Sequence, residues 1–169
     1  MKGIPIMPAA VQFSRIAAAL LLSAAAGCDA QPKLGAGDYQ KLRERMVREQ
    51  LAAPGRNITN KRVLDVMRTV PRHEFVPERV RSHAYDDTAL PIGYDQTISQ
   101  PFIVAFMTAA INPKPGDRIL EIGTGSGYQA AVLAALEAKV WTIEIVKPLG
   151  EQARKVLERF GHDRVSVRI

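Results

Sequence analysis

The chain has few residues of the kinds that form disulfides or hold metals. A single cysteine, Cys28, excludes an internal disulfide. The three histidines, His73, His83 and His162, lie far apart and show no metal-ligand spacing, so we expect no metal site. With 47% hydrophobic and 24% charged residues over 169 positions, the composition is that of one globular domain with a core of ordinary size.

The sequence also lacks a basic run with interleaved aromatic residues, although its net charge is +6. Residues 38–169 hold 20 Lys and Arg against 16 Asp and Glu, and the signs alternate along stretches such as Arg43-Glu44-Arg45. Interspersed charge of this kind is typical of a solvated helix face. We therefore expect no nucleic-acid partner.

The N-terminus predicts a leader over residues 1–28. Basic residues precede the apolar run Ile16–Ala26, which is too short to span a bilayer as a stable helix but has the length of a signal peptide. The following Gly27-Cys28-Asp29 resembles a bacterial lipoprotein processing site, which implies export to the periplasm or membrane anchoring through a lipidated Cys28. Ordinary signal cleavage, or an extension translated from a start codon placed too early, are the alternatives. Residues 29–37 contain Pro and Gly and predict a linker.

Apolar periodicity predicts a helical extension at the start of the remaining chain, 38–169. One helix is expected from Asp38 to about Ala53, and a second from a cap at Thr59 or Asn60 to just before Pro71. Residues 76–93 predict an ordered loop with little regular structure. A third helix is expected over 101–112, with Pro101 in its first turn and Ser99 or Gln100 as its cap.

A short apolar strand then enters three alternating glycines, Gly123, Gly125 and Gly127, and a helix-forming segment follows. Glycine allows positive φ and close approach of a ligand. A dinucleotide fingerprint would need a further glycine where Tyr128 stands. Glu121, two places before the first glycine, would repel a phosphate and attract a cationic amine. The pattern predicts a site for S-adenosylmethionine, and the alternative is a glycine-rich turn without a ligand.

A second strand candidate, Lys139–Glu144, ends in an acid 21 positions after Gly123, close to the spacing at which a carboxylate meets ribose hydroxyls. Strand, turn, helix and strand form one right-handed βαβ unit. After a helix over 147–160, residues 164–169 open a third strand. We therefore expect the N-terminal part of a longer α/β protein whose parallel sheet forms a three-layer sandwich.

Five segments carry a resemblance to one family: Arg45–Leu51, Val70–Pro77, Ala89–Gly93, Gln96–Pro101 and Leu120–Gln129. Over about residues 39–169 the sequence resembles the protein-L-isoaspartate O-methyltransferases. Many methyltransferases share the glycine motif, whereas its combination with Leu-Pro-Ile-Gly and Thr-Ile-Ser-Gln-Pro is specific to this family.

The resemblance implies a Rossmann-like, S-adenosylmethionine-dependent protein carboxyl methyltransferase. Such an enzyme methylates isoaspartyl (D-aspartyl) residues of damaged proteins and initiates repair through a succinimide. It implies isoaspartyl proteins and peptides as partners, a monomer, and the cytoplasm as the usual location, which the predicted leader contradicts.

The resemblance also implies site residues. Ser99 corresponds to the family's active-site residue, and Glu144 is expected on the ribose. Phe102 stands where many relatives have tyrosine, and the Gly-Asp-Gly that holds adenine in the family is absent before the end at Ile169. The remaining cofactor-binding residues implied by the resemblance are Thr97, Ile98, Gln100, Glu121, Gly123, Thr124, Gly125, Ser126 and Gly127.

Two other functions remain open from the sequence. Another Rossmann-like methyltransferase, acting on a small molecule or RNA, would keep the cofactor site but would not explain Thr97–Pro101. A non-catalytic fragment or envelope-anchored binding protein would explain the leader and the short sheet. A nicotinamide-dependent dehydrogenase fits least well because of Tyr128.

Overall fold

The computed structural model describes residues 34–169. The predicted leader, Cys28 and the linker as far as Lys33 lie outside the described residues. Within residues 34–169, no helix combines the length and the apolar character that crossing a bilayer requires.

Two helices form the N-terminal part, as the periodicity predicts. Helix α1 spans Ala36–Met46 and continues as a π-helical turn, Val47–Leu51. It begins two residues before the predicted start, inside the stretch assigned to a linker. Helix α2 spans Lys61–Thr69, and the side chain of its N-cap, Asn60, accepts a hydrogen bond from the Val63 amide.

The segment predicted as a loop, 76–93, contains more regular structure than expected. It contains the 3₁₀ turn Glu78–His83 and strand β1 (Leu90–Gly93), which forms an antiparallel hairpin with β2 (Gln96–Ile98) beyond it. Another 3₁₀ turn, Arg72–Phe75, comes directly before this segment. The loop residues of the hairpin, Tyr94 and Asp95, have φ angles of 53° and 55°. Positive φ at both central residues is the requirement of the tight type I′ hairpin. The loop prediction was wrong for this part because Pro91 and Gly93 resemble strand breakers.

Helix α3 spans Pro101–Ile111 and begins where the sequence predicts. Its N-cap is Gln100, whose side chain makes no capping hydrogen bond, so Ser99 is not the cap. The helix ends at Asn112, which adopts a left-handed conformation with φ 46°. Of the two predicted caps, Gln100 therefore occupies the N-cap position, but its side chain does not cap the helix. Pro101 fixes the backbone of the first turn and has no amide hydrogen that would need an acceptor.

The βαβαβ pattern predicted from the glycine motif onward is confirmed. Strands β3 (Arg118–Ile122), β4 (Lys139–Ile143) and β5 (Val165–Arg168) form a parallel sheet in the order β3-β4-β5. Helices α4 (Tyr128–Ala135) and α5 (Lys147–Arg159) connect them.

The two connecting helices cover one face of this sheet. Val140 and Thr142 of β4 are buried on the covered face. Leu120, Ile122 and Trp141 on the opposite face are 62%, 74% and 39% exposed. At the carboxyl ends of β3 and β4, before α4 and α5 begin, the glycine turn and Glu144 lie next to each other.

We expect the cap of α2 to contribute measurably to stability. Replacement Asn60→Ala removes the side-chain acceptor for the Val63 amide and should cost about 1 kcal/mol of unfolding free energy. Asn60→Ser keeps a capping oxygen and serves as the control. Urea denaturation of both variants tests this, and equal stability of Asn60→Ala and wild type would contradict it.

Candidate functional site

A cleft of about 310 Å³ lies beside the carboxyl end of β3, between the end of β2, helix α3 and the glycine turn. The structure brings most of the predicted site residues together here, although they come from two separate segments of the chain. The predicted residues that line the cleft are Thr97, Ile98, Ser99, Glu121, Gly123, Thr124, Gly125 and Ser126.

Three predicted site residues do not line the cleft: Gln100, Gly127 and Glu144. Gln100 occupies the N-cap of α3. A Cβ on Gly127 would lie 3.2 Å from Leu157 Cδ1, so this glycine allows α5 to pack closely against the turn. Their contacts in the structure are internal to the protein, and ligand contacts by these three residues stay predictions.

The amides of the glycine turn are largely used within the protein. Gly123 and Thr124 donate to the Ile143 carbonyl at 2.8 and 3.1 Å, and Gly127 donates to the Thr124 carbonyl at 2.8 Å. An anion-binding turn instead leaves successive amides free to point at a phosphate. The turn therefore suits a ligand that approaches the backbone closely without needing these donors, as the sequence indicates.

Glu144 holds the turn in place. One carboxylate oxygen, Oε2, accepts from the Gly125 amide at 2.8 Å, and Oε1 accepts from the Val146 amide at 2.9 Å. Glu144 is only 6% exposed. Because both oxygens bind main-chain amides, the carboxylate links the turn after β3 to the end of β4, and the ribose contact expected of it would use the remaining lone pairs.

Glu121 has an unusual environment for a carboxylate. It lies on β3 and lines the cleft, and its Oε2 is buried without a hydrogen-bond partner among the described residues. Burial, together with the nearby charge of Glu144, raises its pKa to about 7. A buried acceptor without a partner is costly to the fold, whereas a cationic or hydrogen-bond-donating ligand in the cleft would satisfy it.

Ser99 lies at the rim of the cleft, between the last residue of β2 and the N-cap of α3. The serine is exposed, so its hydroxyl is accessible to a ligand. Its carbonyl accepts a hydrogen bond from Nη2 of Arg72 at 2.7 Å. The site thus places a hydroxyl donor from one segment in the same cleft as the carboxylate of Glu121.

Several lining residues were missed by sequence reasoning. Apolar side chains of α3 form one wall, and their spacing of three to four residues is the signal that could have found them. Gln129 donates to Thr108 Oγ1 at 2.9 Å, while its own Oε1 is buried without a partner among the described residues. The missed lining residues are Val104, Met107, Ile111, Ile119, Leu120, Ile122, Tyr128, Gln129 and Leu133.

Within residues 34–169, His, Cys, Asp and Glu side chains form no group of three that could hold a metal ion. The polar groups facing the cleft are instead single carboxylate, hydroxyl and amide groups. They provide hydrogen bonding and one negative charge to an organic ligand.

The raised pKa of Glu121 predicts a pH-dependent stability difference. The folded carboxyl binds its proton more tightly than the unfolded one, whose pKa is near 4.5, so stability falls as pH rises from about 4.5 through about 7. Glu121→Gln removes this charge. Its free energy of unfolding should exceed that of the wild type by on the order of 2 kcal/mol above pH 7, and the two should be similar at low pH. Thermal unfolding at several pH values tests this. The exposed Glu158→Gln is the control, and a parallel offset at all pH values would contradict the prediction.

Comparison with known proteins places this site in a family. Residues 42–169 match the family model of protein-L-isoaspartate(D-aspartate) O-methyltransferase (PCMT). A protein-L-isoaspartate O-methyltransferase of Opitutus terrae is 61% identical over 127 residues, which are 75% of this chain and 54% of that protein. A second such enzyme, from a Polaromonas species, is 53% identical over 73% of this chain and 59% of its own length. The chain thus spans a little over half the length of these curated relatives.

Solved structures give the same relationship. A protein-L-isoaspartate O-methyltransferase matches with a TM-score of 0.64 and 26% identity, over 76% of this chain and 41% of that one. A Plasmodium falciparum protein described as a beta-aspartate methyltransferase of this type, in complex with S-adenosyl-L-homocysteine, matches with a TM-score of 0.61 and 25% identity, over 76% of this chain and 61% of that one. The Rossmann-like fold is therefore confirmed, and the chain belongs to the protein-L-isoaspartate(D-aspartate) O-methyltransferase family.

Proposed function

We propose that this chain carries the cofactor site and the active-site serine of an S-adenosylmethionine-dependent methyltransferase that acts on isoaspartyl residues of damaged proteins. The observation that carries the proposal is the meeting of Ser99 and Glu121 in one cleft beside the glycine turn. Family membership supports it, as does the complex of the Plasmodium falciparum relative with S-adenosyl-L-homocysteine.

The residues of the cleft fit such a cofactor. Gly123 and Gly125 have φ angles of 90° and 53°, which glycine adopts readily. Because glycine has no Cβ, a ligand can approach the backbone of the turn closely at both positions. The unpartnered Oε2 of Glu121 offers an acceptor and, when ionised, a charge for the ammonium of the aminoacyl end. Apolar residues of α3 supply the wall against which an uncharged part of the ligand packs.

Methyl transfer to a carboxylate places modest demands on the protein. The cofactor, when bound, supplies an electrophilic methyl group on a sulfonium. The carboxyl nucleophile has an ordinary pKa of about 4, so it is already ionised at neutral pH and needs no general base. What the chain must provide is orientation of the two reacting groups, which contributes through proximity.

Ser99 is positioned to supply that orientation. Its hydroxyl can donate a hydrogen bond to one carboxylate oxygen of the substrate and leave the other free to attack. The start of α3, directly after Gln100, adds the positive end of a helix dipole next to the same carboxylate. We infer that the substrate acid binds at the rim formed by Ser99, with the cofactor deeper along the glycine turn.

Methylation of synthetic peptides tests the proposal. With radioactive S-adenosylmethionine, the protein should label an isoaspartyl peptide and leave the matched aspartyl peptide unlabelled. Ser99→Ala should lower turnover by about 100-fold, the typical effect of losing one hydrogen-bond donor to a reacting group. Ser166→Ala, on an exposed part of β5, is the control. Equal labelling of both peptides would instead favour a methyltransferase with another substrate.

Cofactor binding is expected to depend on the ionisation of Glu121. Because its pKa is about 7, the affinity for S-adenosylhomocysteine should fall below that pH, by up to about tenfold per pH unit. Calorimetry between pH 5.5 and about 8.5 measures this, and Glu121→Gln should bind weakly with little pH dependence. Undetectable binding by the wild-type chain at every pH would favour the non-catalytic alternative.

A further inference from the structure

Arg72 is a buried cation without a salt-bridge partner among the described residues, although the charge of Asp87 is near enough to favour its charged form. Its side chain is fully buried, and in the part of the chain that the structure describes it makes no ion pair with a carboxylate. Burial lowers its pKa to about 10, so it remains charged at neutral pH. Burying a charge without a salt bridge costs a fold free energy, so the groups that the guanidinium contacts bear on why it is there.

The guanidinium group contacts three segments of the chain, two of which line the cleft. Nε donates to the Ala84 carbonyl at 2.8 Å, and Nη2 donates to the Ser99 carbonyl at 2.7 Å. The guanidinium carbon lies 4.9 Å from the ring centroid of Tyr128. Tyr128 is itself buried and is the first residue of α4, directly after Gly127. One planar side chain thus contacts both the serine segment and the helix that follows the glycine turn.

Ser99 has little else to hold its backbone. It lies after the last residue of β2 and before α3, outside both elements. Within residues 34–169, its carbonyl accepts a hydrogen bond from Arg72 and from no other group. The hydrogen bond from Arg72 therefore ties the Ser99 backbone to a guanidinium that also contacts α4.

We propose that Arg72 is a positioning residue that fixes the distance between Ser99 and the cofactor turn by binding the Ser99 carbonyl while it stacks on Tyr128. This inference rests on the proposed function. Orientation at a reacting centre is demanding, since a displacement of about 1 Å can cost on the order of 100-fold in rate. A planar group with several donors can make both backbone hydrogen bonds and the ring contact at once, which a lysine ammonium cannot.

The exposed Arg62 offers a control with the same type of hydrogen bonds. Its guanidinium also bridges two carbonyl groups, with Nη1 donating to Pro113 at 2.8 Å and Nη2 to Leu136 at 3.2 Å. Neither Arg62 nor the residues it contacts line the cleft. Arg62→Met therefore removes the same kind of link at a place where it should not affect Ser99.

Two measurements on the full chain test the proposal. In Arg72→Met and Arg72→Lys, NMR order parameters at Ser99 and Gln100 should fall from about 0.85 toward 0.6 or below, while those of β3 and β4 stay at the wild-type level. Turnover of an isoaspartyl peptide should fall by about 100-fold in both variants, with the affinity for S-adenosylhomocysteine changed by less than about threefold. Arg62→Met should change neither quantity.

The outcomes separate this inference from the proposed function. Wild-type order parameters at Ser99 in both Arg72 variants would overturn the positioning role, whatever the activity. A loss of order at Ser99 in a protein that methylates no peptide would support the role of Arg72 and count against the proposed reaction. If Arg72→Met does not fold, Arg72→Lys, which retains the charge, decides the question through the same order parameters.

Discussion

The structure of the site depends on the parallel pairing of β3 with β4. In this register Ile122 lies opposite Ile143, so both strands end at the same edge of the sheet. The Ile143 carbonyl then accepts hydrogen bonds from the first two residues of the glycine turn, and Glu144 binds the amide of Gly125. A shift of one residue would reverse the faces and separate these groups. The turn that approaches the ligand is therefore a consequence of the sheet rather than an independent loop.

Much of this part could be predicted from the sequence because its determinants are local. Alternating glycines after a short apolar strand mark a turn whose positive φ angles other residues rarely adopt, and the acid at 144 follows from the length of one βαβ unit. The parallel strands and the helices between them agree with the expectation. Glu121 and Ser126 line the cleft, and their contact with a cofactor stays a prediction. The helices at 36–46 and 61–69 were also found from periodicity and capping, within a few residues.

Other features could not be found locally. The β1–β2 hairpin turns at Tyr94 and Asp95, which both adopt positive φ, and Tyr94 is not one of the residues typical of such a turn. Arg72 bonds the Ser99 carbonyl across 27 positions of sequence, and no pattern in the chain shows that pairing. The two hydrogen bonds that Glu144 accepts from main-chain amides were likewise not foreseen, because the edge that collects ligand-binding groups also leaves backbone donors to satisfy; its ribose contact stays a prediction.

The two buried charges of the site show how stability and function differ here. Glu121 and Arg72 both lack a charged partner among the described residues, and both are held in surroundings that favour neutral side chains. Taking either charge out of water costs the fold free energy, which the hydrogen bonds of Arg72 to the Ala84 and Ser99 carbonyls offset in part. Each charge serves the cleft, since Glu121 presents an acceptor to it and Arg72 binds the backbone of Ser99 at its rim. Both charges are thus held beside the cleft at a cost in desolvation, which is the arrangement that the proposed function and the proposed role of Arg72 would explain.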